Sequence, residues 1–390
     1  MANVNYVVVV NLLPPDATQA EKLFVLEAVH ESKQTILQSA DDAKRLVQPG
    51  LPGSRVVVWD AERWTDDIVA YLGVPVELKR LHPTPPPPPP PPPPVTYKRP
   101  TSMGGVHISH GGRSGYHDWL VNCGRSVFVK SFMDFGALME AKTVNPNTVT
   151  VIRVLPAGID EDTPQGNWQW DLSSTRKIAQ EWMSHCYQVL DLNDRKWFDY
   201  VEVMNEPDPA DAPAMERANG FVQACMEDAD LHGYKLAIWA WAAGLPRTPR
   251  LAASDFDQME RTLETLQYAA EHGHALAVHE GSVSDERRLI QQAAEDGTAL
   301  RYRVTAQMMA EKGWPMPPVV ITEAYQESGY RKPNWDDWKW YWTELAKDPY
   351  VLGAAWFTLG DWEFGGGQNV NIVGQLRKMA VAMSQLPEVS

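Results

Sequence analysis

Cysteine is scarce: Cys123, Cys186 and Cys225 are the three in 390 residues. They are far apart and odd in number, so they give neither a disulfide framework nor the paired spacing of a zinc site. They read as buried structural thiols. Basic residues are short as well, 35 Lys and Arg against 50 Asp and Glu, for a formal net charge of −15. Such a surface repels phosphates, which excludes nucleic acid and an anionic membrane as main partners. No apolar run approaches the ~20 residues of a membrane span. Tyr6–Leu13 is apolar, but no positive residue precedes it and no small-residue cleavage site follows. The default expectation is therefore a cytoplasmic protein with no membrane segment.

What the chain has in excess is proline, 31 residues, and tryptophan, 16. The proline excess is local. Pro85–Pro94 is an unbroken run with Pro83 just before it. Without backbone donors such a run adopts polyproline II and spans about 30 Å at ~3.1 Å per residue. It marks a linker over residues 83–95 and serves as a spacer, with docking to an SH3-like partner as the alternative.

Residues 1–82 read as a small α/β module. Asn3–Leu13 and Ser54–Asp60 are strand-like, Thr18–Gln38 has a helical apolar face, and a second helix is expected around Thr65–Leu72. No catalytic motif stands out there. An interaction role remains for it, with an unknown protein or glycan as partner.

Residues 96–390 alternate strand and helix. Candidate strands are 105–109, 126–130, 148–155, 200–204, 236–240, 275–279, 319–322 and 353–358, with helical patterns such as 174–190, 214–228, 256–271 and 300–312 between them. Eight βα units in this length predict a (β/α)8 TIM barrel. Polar residues stand just after the strands all the way round, as one shared mouth requires.

Two strands end on a glutamate. In DYVEVMNEPD, Glu206 follows Asn205 and is closed off by Pro207; in VVITEAY, Glu323 ends the run. Carboxylates at the carboxyl ends of two barrel strands point into one mouth, and paired carboxylates are what glycosidic-bond hydrolysis needs. Each alone is also compatible with a helix cap.

Met204-Asn205-Glu206-Pro207 on strand four and Ile321-Thr322-Glu323 on strand seven resemble the signature of clan A glycoside hydrolases, a retaining superfamily of (β/α)8 barrels. The resemblance covers the barrel and not the N-terminal module. It implies Glu206 as acid/base, Glu323 as nucleophile and Asn205 as the contact to the substrate 2-hydroxyl. It also implies Arg153 as support for the nucleophile, His279 as a site residue after strand six, and Trp356, with Trp362 competing, as the floor of a sugar subsite. His107 and His110 after strand one have no counterpart beyond substrate contact.

A buried Arg beside Glu323 would keep it ionised, and a dry apolar site would raise Glu206 so that it holds its proton. Indole rings offer flat platforms for sugar faces, and Trp168, Trp170 and Trp241 stand after strands three and five as subsite candidates. Most of Trp335–Trp342 has the spacing of a helix docking on the barrel. The loop Asp361–Asn369, with three consecutive glycines, is a candidate lid.

The expectation is a retaining, internally cleaving hydrolase of a β-linked oligo- or polysaccharide, with no metal and no cofactor. Two alternatives stand beside it. One is a metal-dependent hydrolase on the same barrel, prompted by His107, His110, His272, His274 and His279. The other is a carbohydrate-binding barrel without turnover.

Overall fold

The computed structural model describes residues 9–12, 35–37, 55–59, 76–79, 97–109, 113–155, 168–251, 256–282, 289–295, 297–326, 334–360, 363–364, 368–369 and 371–389. The chain divides into two compact units, Met1–Pro89 and Pro90–Ser390. The polyproline run, the helix expected around Thr65–Leu72, His110 and Trp362 lie outside the described residues.

In the first unit β1 (Val9–Leu12), β2 (Thr35–Leu37), β3 (Arg55–Trp59) and β4 (Val76–Lys79) form one parallel sheet in the order β2-β1-β3-β4. The helix expected over Thr18–Gln38 is corrected at its end. Thr35-Ile36-Leu37 is a strand paired with Val10–Leu12, where two β-branched or stiff side chains suit a pleated ladder. Strand β4 was not anticipated.

The second unit opens with β5 (Gly104–Ile108), α1 (Tyr116–Cys123), β6 (Phe128–Phe132), α2 (Phe135–Val144), β7 (Val149–Arg153) and α3 (Thr175–Leu190). It continues with β8 (Tyr200–Glu202), α4 (Ala212–His232), β9 (Leu236–Trp241), α5 (Gln258–His272) and β10 (Ala275–Ser282). Next come α6 (Leu289–Glu295), α7 (Tyr302–Glu311), β11 (Val319–Gln326), α8 (Trp335–Lys347) and β12 (Val351–Leu359). A ribbon of β13 (Glu363–Phe364) and β14 (Gln368–Asn369) occupies part of the candidate lid, and α9 (Leu376–Ser384) ends the fold. Strands β5 to β12 close into a parallel barrel in sequence order, β12 pairing with β5. This is the (β/α)8 architecture that the alternation predicts.

Phe128, Val149, Val151, Ala237, Ala275, Ala277, Val320, Leu352 and Ala355 fill the barrel interior. A larger cluster, including Trp182, Phe221, Trp338 and Trp342, lies between strands and helices. Closure is tight beside Phe128. A Cβ on Gly105 would stand 1.5 Å from the Phe128 carbonyl oxygen, so only glycine fits there. Asp134, Asp211, Asp257 and Asn334 cap α2, α4, α5 and α8 by accepting from first-turn N–H groups. The caps fix where each mouth loop turns into its helix.

All three cysteines are free and buried. Burial pushes the Cys123 and Cys186 thiols up to about 12, which leaves them inert. Among the described residues, no helix is long and apolar enough to cross a membrane.

Candidate active site

Alternation along a strand sends every second side chain inward. Counted from the interior cluster, the inward position near the carboxyl end is His107 on β5, Lys130 on β6, Arg153 on β7, Glu202 on β8 and His279 on β10. The register pairs His107 with Lys130, Arg153 with Glu202, and His279 with Glu323.

Simple alternation would turn Glu323 away, because Val320 is interior and Ile321 faces the helices. The ladder shifts at that point. Ile321 pairs with Val278, but Glu323 pairs with the next residue, His279. The extra residue, Thr322, makes a bulge that returns Glu323 to the inside. Glu206 enters differently, from the turn after β8. Its φ is +46°, a left-handed conformation that non-glycine residues adopt at a cost. Its N–H donates to the Ala240 carbonyl at 3.0 Å, which pins the turn against the end of β9.

The side chains converge. His279 Nδ1 lies 2.9 Å from Glu206 Oε1 and 3.7 Å from Glu323 Oε2. One oxygen of Glu206, one nitrogen of His279 and one oxygen of Glu323 all lie within 4.8 Å of one another. Behind them Lys130 Nζ stands 3.1 Å from Glu323 Oε1 and 2.7 Å from Glu202 Oε1. Arg153 donates to Asn205 Oδ1 at 2.6 Å and stands 3.8 Å from Glu323 Oε1.

Burial opposes ionisation of Glu323, but His279, Lys130 and Arg153 outweigh it and hold the carboxyl below its ordinary value. The direction is the expected one, but His279 and Lys130 contribute more than Arg153. For Glu206 the expectation is corrected. Burial pushes it up, yet the His279 hydrogen bond and the charges of His279, Lys130 and Arg153 bring it below its ordinary value. The site is lined with cations, not dry and apolar. His107 is held neutral: burial first, then Lys130, Arg153 and His279, push it well below the ordinary histidine value. Its ring is 3% exposed and packs 4.8 Å from the Phe357 ring, so it forms part of the wall.

The aromatic candidates are corrected as a group. Trp356 is 1% exposed and lies in the cluster between strands and helices. It packs on Trp335 and Trp338 of α8 at 5.3 and 5.0 Å. Alternation explains this: Ala355 is interior, so its neighbour Trp356 turns outward. The next inward position on β12 is Phe357. Trp241 stacks on Trp239 at 4.7 Å and faces Leu276, Arg301 and Tyr302 beneath the helices. Trp168 and Trp170 pack on Phe221 of α4. None of these four indoles is available as a sugar platform at the mouth.

Lys130 and Glu202 were missed. The signal was present, since each is a charged residue at an inward position of an otherwise apolar strand, SVFVK and YVEV.

Among the described residues, the histidines of the metal alternative do not gather into one set of ligands. His272 and His274 precede β10, at the end of the barrel away from His279, and gather around Asp230. His274 Nδ1 accepts the Leu236 N–H at 3.0 Å, so its hydrogen is on Nε2, which faces Asp230. Among the described residues the one set of donor atoms close enough for a cation is Glu206, His279 and Glu323. Lys130 and Arg153, within 4 Å of Glu323, oppose a divalent ion at that point.

No family model and no curated protein matches the chain. Solved structures do. One is ZgEngAGH5_4 in complex with a cellotriose, at 10% identity and TM-score 0.44, over 73% of this chain and 96% of that one. Another is β-1,4-D-mannanase from Cryptopygus antarcticus, at 13% identity and TM-score 0.42, over 74% and 92%. A third is a GH5-4 broad specificity endoglucanase from Clostrdium longisporum, at 13% identity and TM-score 0.41, over 70% and 85%. At that similarity the neighbours carry no weight for this chain's own activity.

Proposed function

We propose that this protein is a retaining glycoside hydrolase acting on a β-linked oligo- or polysaccharide, with Glu206 as acid/base and Glu323 as nucleophile. The observation that carries the reading is the approach of the two carboxylates, with their nearest oxygens and the His279 nitrogen within 4.8 Å. Retaining enzymes hold the pair about 5–5.5 Å apart, whereas inverting enzymes need about 6.5–9.5 Å for the intervening water.

The roles follow from what surrounds each group. Glu323 is half-buried, contacted by Lys130, and kept ionised; it attacks the anomeric carbon as a carboxylate. Glu206 is the more exposed of the two, its side chain 41% accessible against 13% for Glu323. It reaches the leaving oxygen and then the incoming water. The contact between His279 and Glu206 at 2.9 Å fixes the acid/base carboxyl at the mouth. A bound sugar that excludes water raises that carboxyl, which then holds the proton delivered to the leaving group. Arg153 holds Asn205 by its side-chain oxygen, which orients the amide NH2 to donate to a substrate hydroxyl.

The test is hydrolysis of a panel of soluble β-glycans by wild type and Glu323→Gln. Wild type is expected to release reducing ends with retained configuration by NMR. The variant is expected to lose at least ~10³-fold in kcat while still binding the sugar. A wild type that binds a β-glycan and cleaves none of the panel overturns the reading in favour of a binding barrel.

A further inference from the structure

A second feature lies outside the carboxylate mouth. Between α8 and α9 runs an open groove of about 330 Å³ lined by Trp335, Lys339, Arg377, Lys378, Val381 and Gln385. The indole of Trp335 is half-buried and set edge-on against Trp356, 5.3 Å between centroids at 77°, so it is a fixed surface. Lys339 pairs with Asp336 at 3.0 Å. Arg377 and Lys378 are exposed and have no carboxylate partner among the described residues. In a chain with a net charge of −15, the groove sets these two cations, unpaired among the described residues, beside an indole and the exposed Val381.

We propose that this groove is a second glycan-binding site, one that takes a polysaccharide carrying uronate groups on a largely neutral backbone. The indole suits the apolar face of a sugar ring, and the guanidinium and ammonium suit its carboxylates. A densely charged nucleic acid would be repelled by the molecule as a whole, whereas a sparsely charged glycan meets the local cations without that penalty. Trp335 opens the helix that follows β11, the strand of Glu323, so the groove starts at the same end of the barrel as the mouth.

The experiment reads binding of glucuronoxylan oligosaccharides to full-length Glu323→Gln, in which turnover is blocked, with the same oligosaccharides after carboxyl reduction as the neutral control. Failure of hydrolysis in the wild type therefore leaves this test standing. The expected result is that Arg377→Glu with Lys378→Glu weakens binding of the acidic chain by about tenfold or more, leaves the reduced chain unaffected, and that added salt has the same effect. Trp335→Leu is expected to weaken the acidic chain as well, but to leave polyglutamate unchanged. Equal binding of acidic and reduced chains overturns the proposal, as does a charge-reversed protein that binds like its parent. Polyglutamate or single-stranded DNA bound as tightly as the glucuronoxylan also overturns it, since the site would then read charge alone.

Discussion

Lys130 and Glu202 form a 2.7 Å ion pair with neither side chain reaching solvent. A buried pair of this kind contributes less by its attraction than it costs when one partner is removed. Its value here lies in position, because the same ammonium reaches on to Glu323 at 3.1 Å. The pair fixes a cation beneath Glu323.

Lys130→Met is therefore expected to destabilise the barrel by about 3–5 kcal/mol, since Glu202 is left buried without its main partner. Adding Glu202→Gln should restore much of that loss while leaving hydrolysis impaired. Urea unfolding of the single and double variants checks it. Equal stability of all three proteins would count against the pairing.

The His279 ring holds both site carboxyls below their ordinary values. Removing it in His279→Asn lets both rise. Under the proposed roles, ionised Glu323 sets the acidic limb of kcat/KM and the proton on Glu206 the alkaline limb, so both limbs should move to higher pH. The maximum rate should fall by ~10²-fold. A profile whose limbs stay at the same pH would mean that His279 acts by packing alone.

Glu280, next to His279, faces the helices and is 1% exposed. It accepts from the Leu300 and Arg301 N–H groups at 2.9 Å and from Tyr341 Oη at 2.6 Å. Burial nonetheless pushes its carboxyl up from 4.5 to about 7. A raised folded-state value means that the native protein binds the proton more tightly than the unfolded chain. The contribution is full below 4.5 and lost as pH rises through about 7, on the order of 3 kcal/mol. Urea midpoints across that window should decline in the wild type and stay level in Glu280→Gln.

Trp356 and Phe357 are adjacent and face opposite ways. Trp356→Ala is expected to cost about 3–5 kcal/mol of stability with KM for the folded protein unchanged. Phe357→Ala, which uncovers His107, is expected to raise KM. The reverse pattern in steady-state kinetics would place the indole in the sugar site after all.

What the chain determined by itself was local. β-branched runs at regular intervals, separated by helical periods, specify eight strands and their helices without reference to distant residues. A glutamate just after such a run stands at the mouth whatever the loops do, and Glu206 and Glu323 were legible for that reason. Which way a side chain faces was decided by the tertiary structure. One extra residue flips every position beyond it, so the bulge at Thr322 brings Glu323 inward and strand alternation turns Trp356 out. Partner choice was equally invisible, because Lys130, Glu202 and Glu323 come from three strands separated by helices. Only closure of the barrel sets those charges within hydrogen-bonding reach, and the electrostatics of Glu206 then follow from neighbours that no local pattern names.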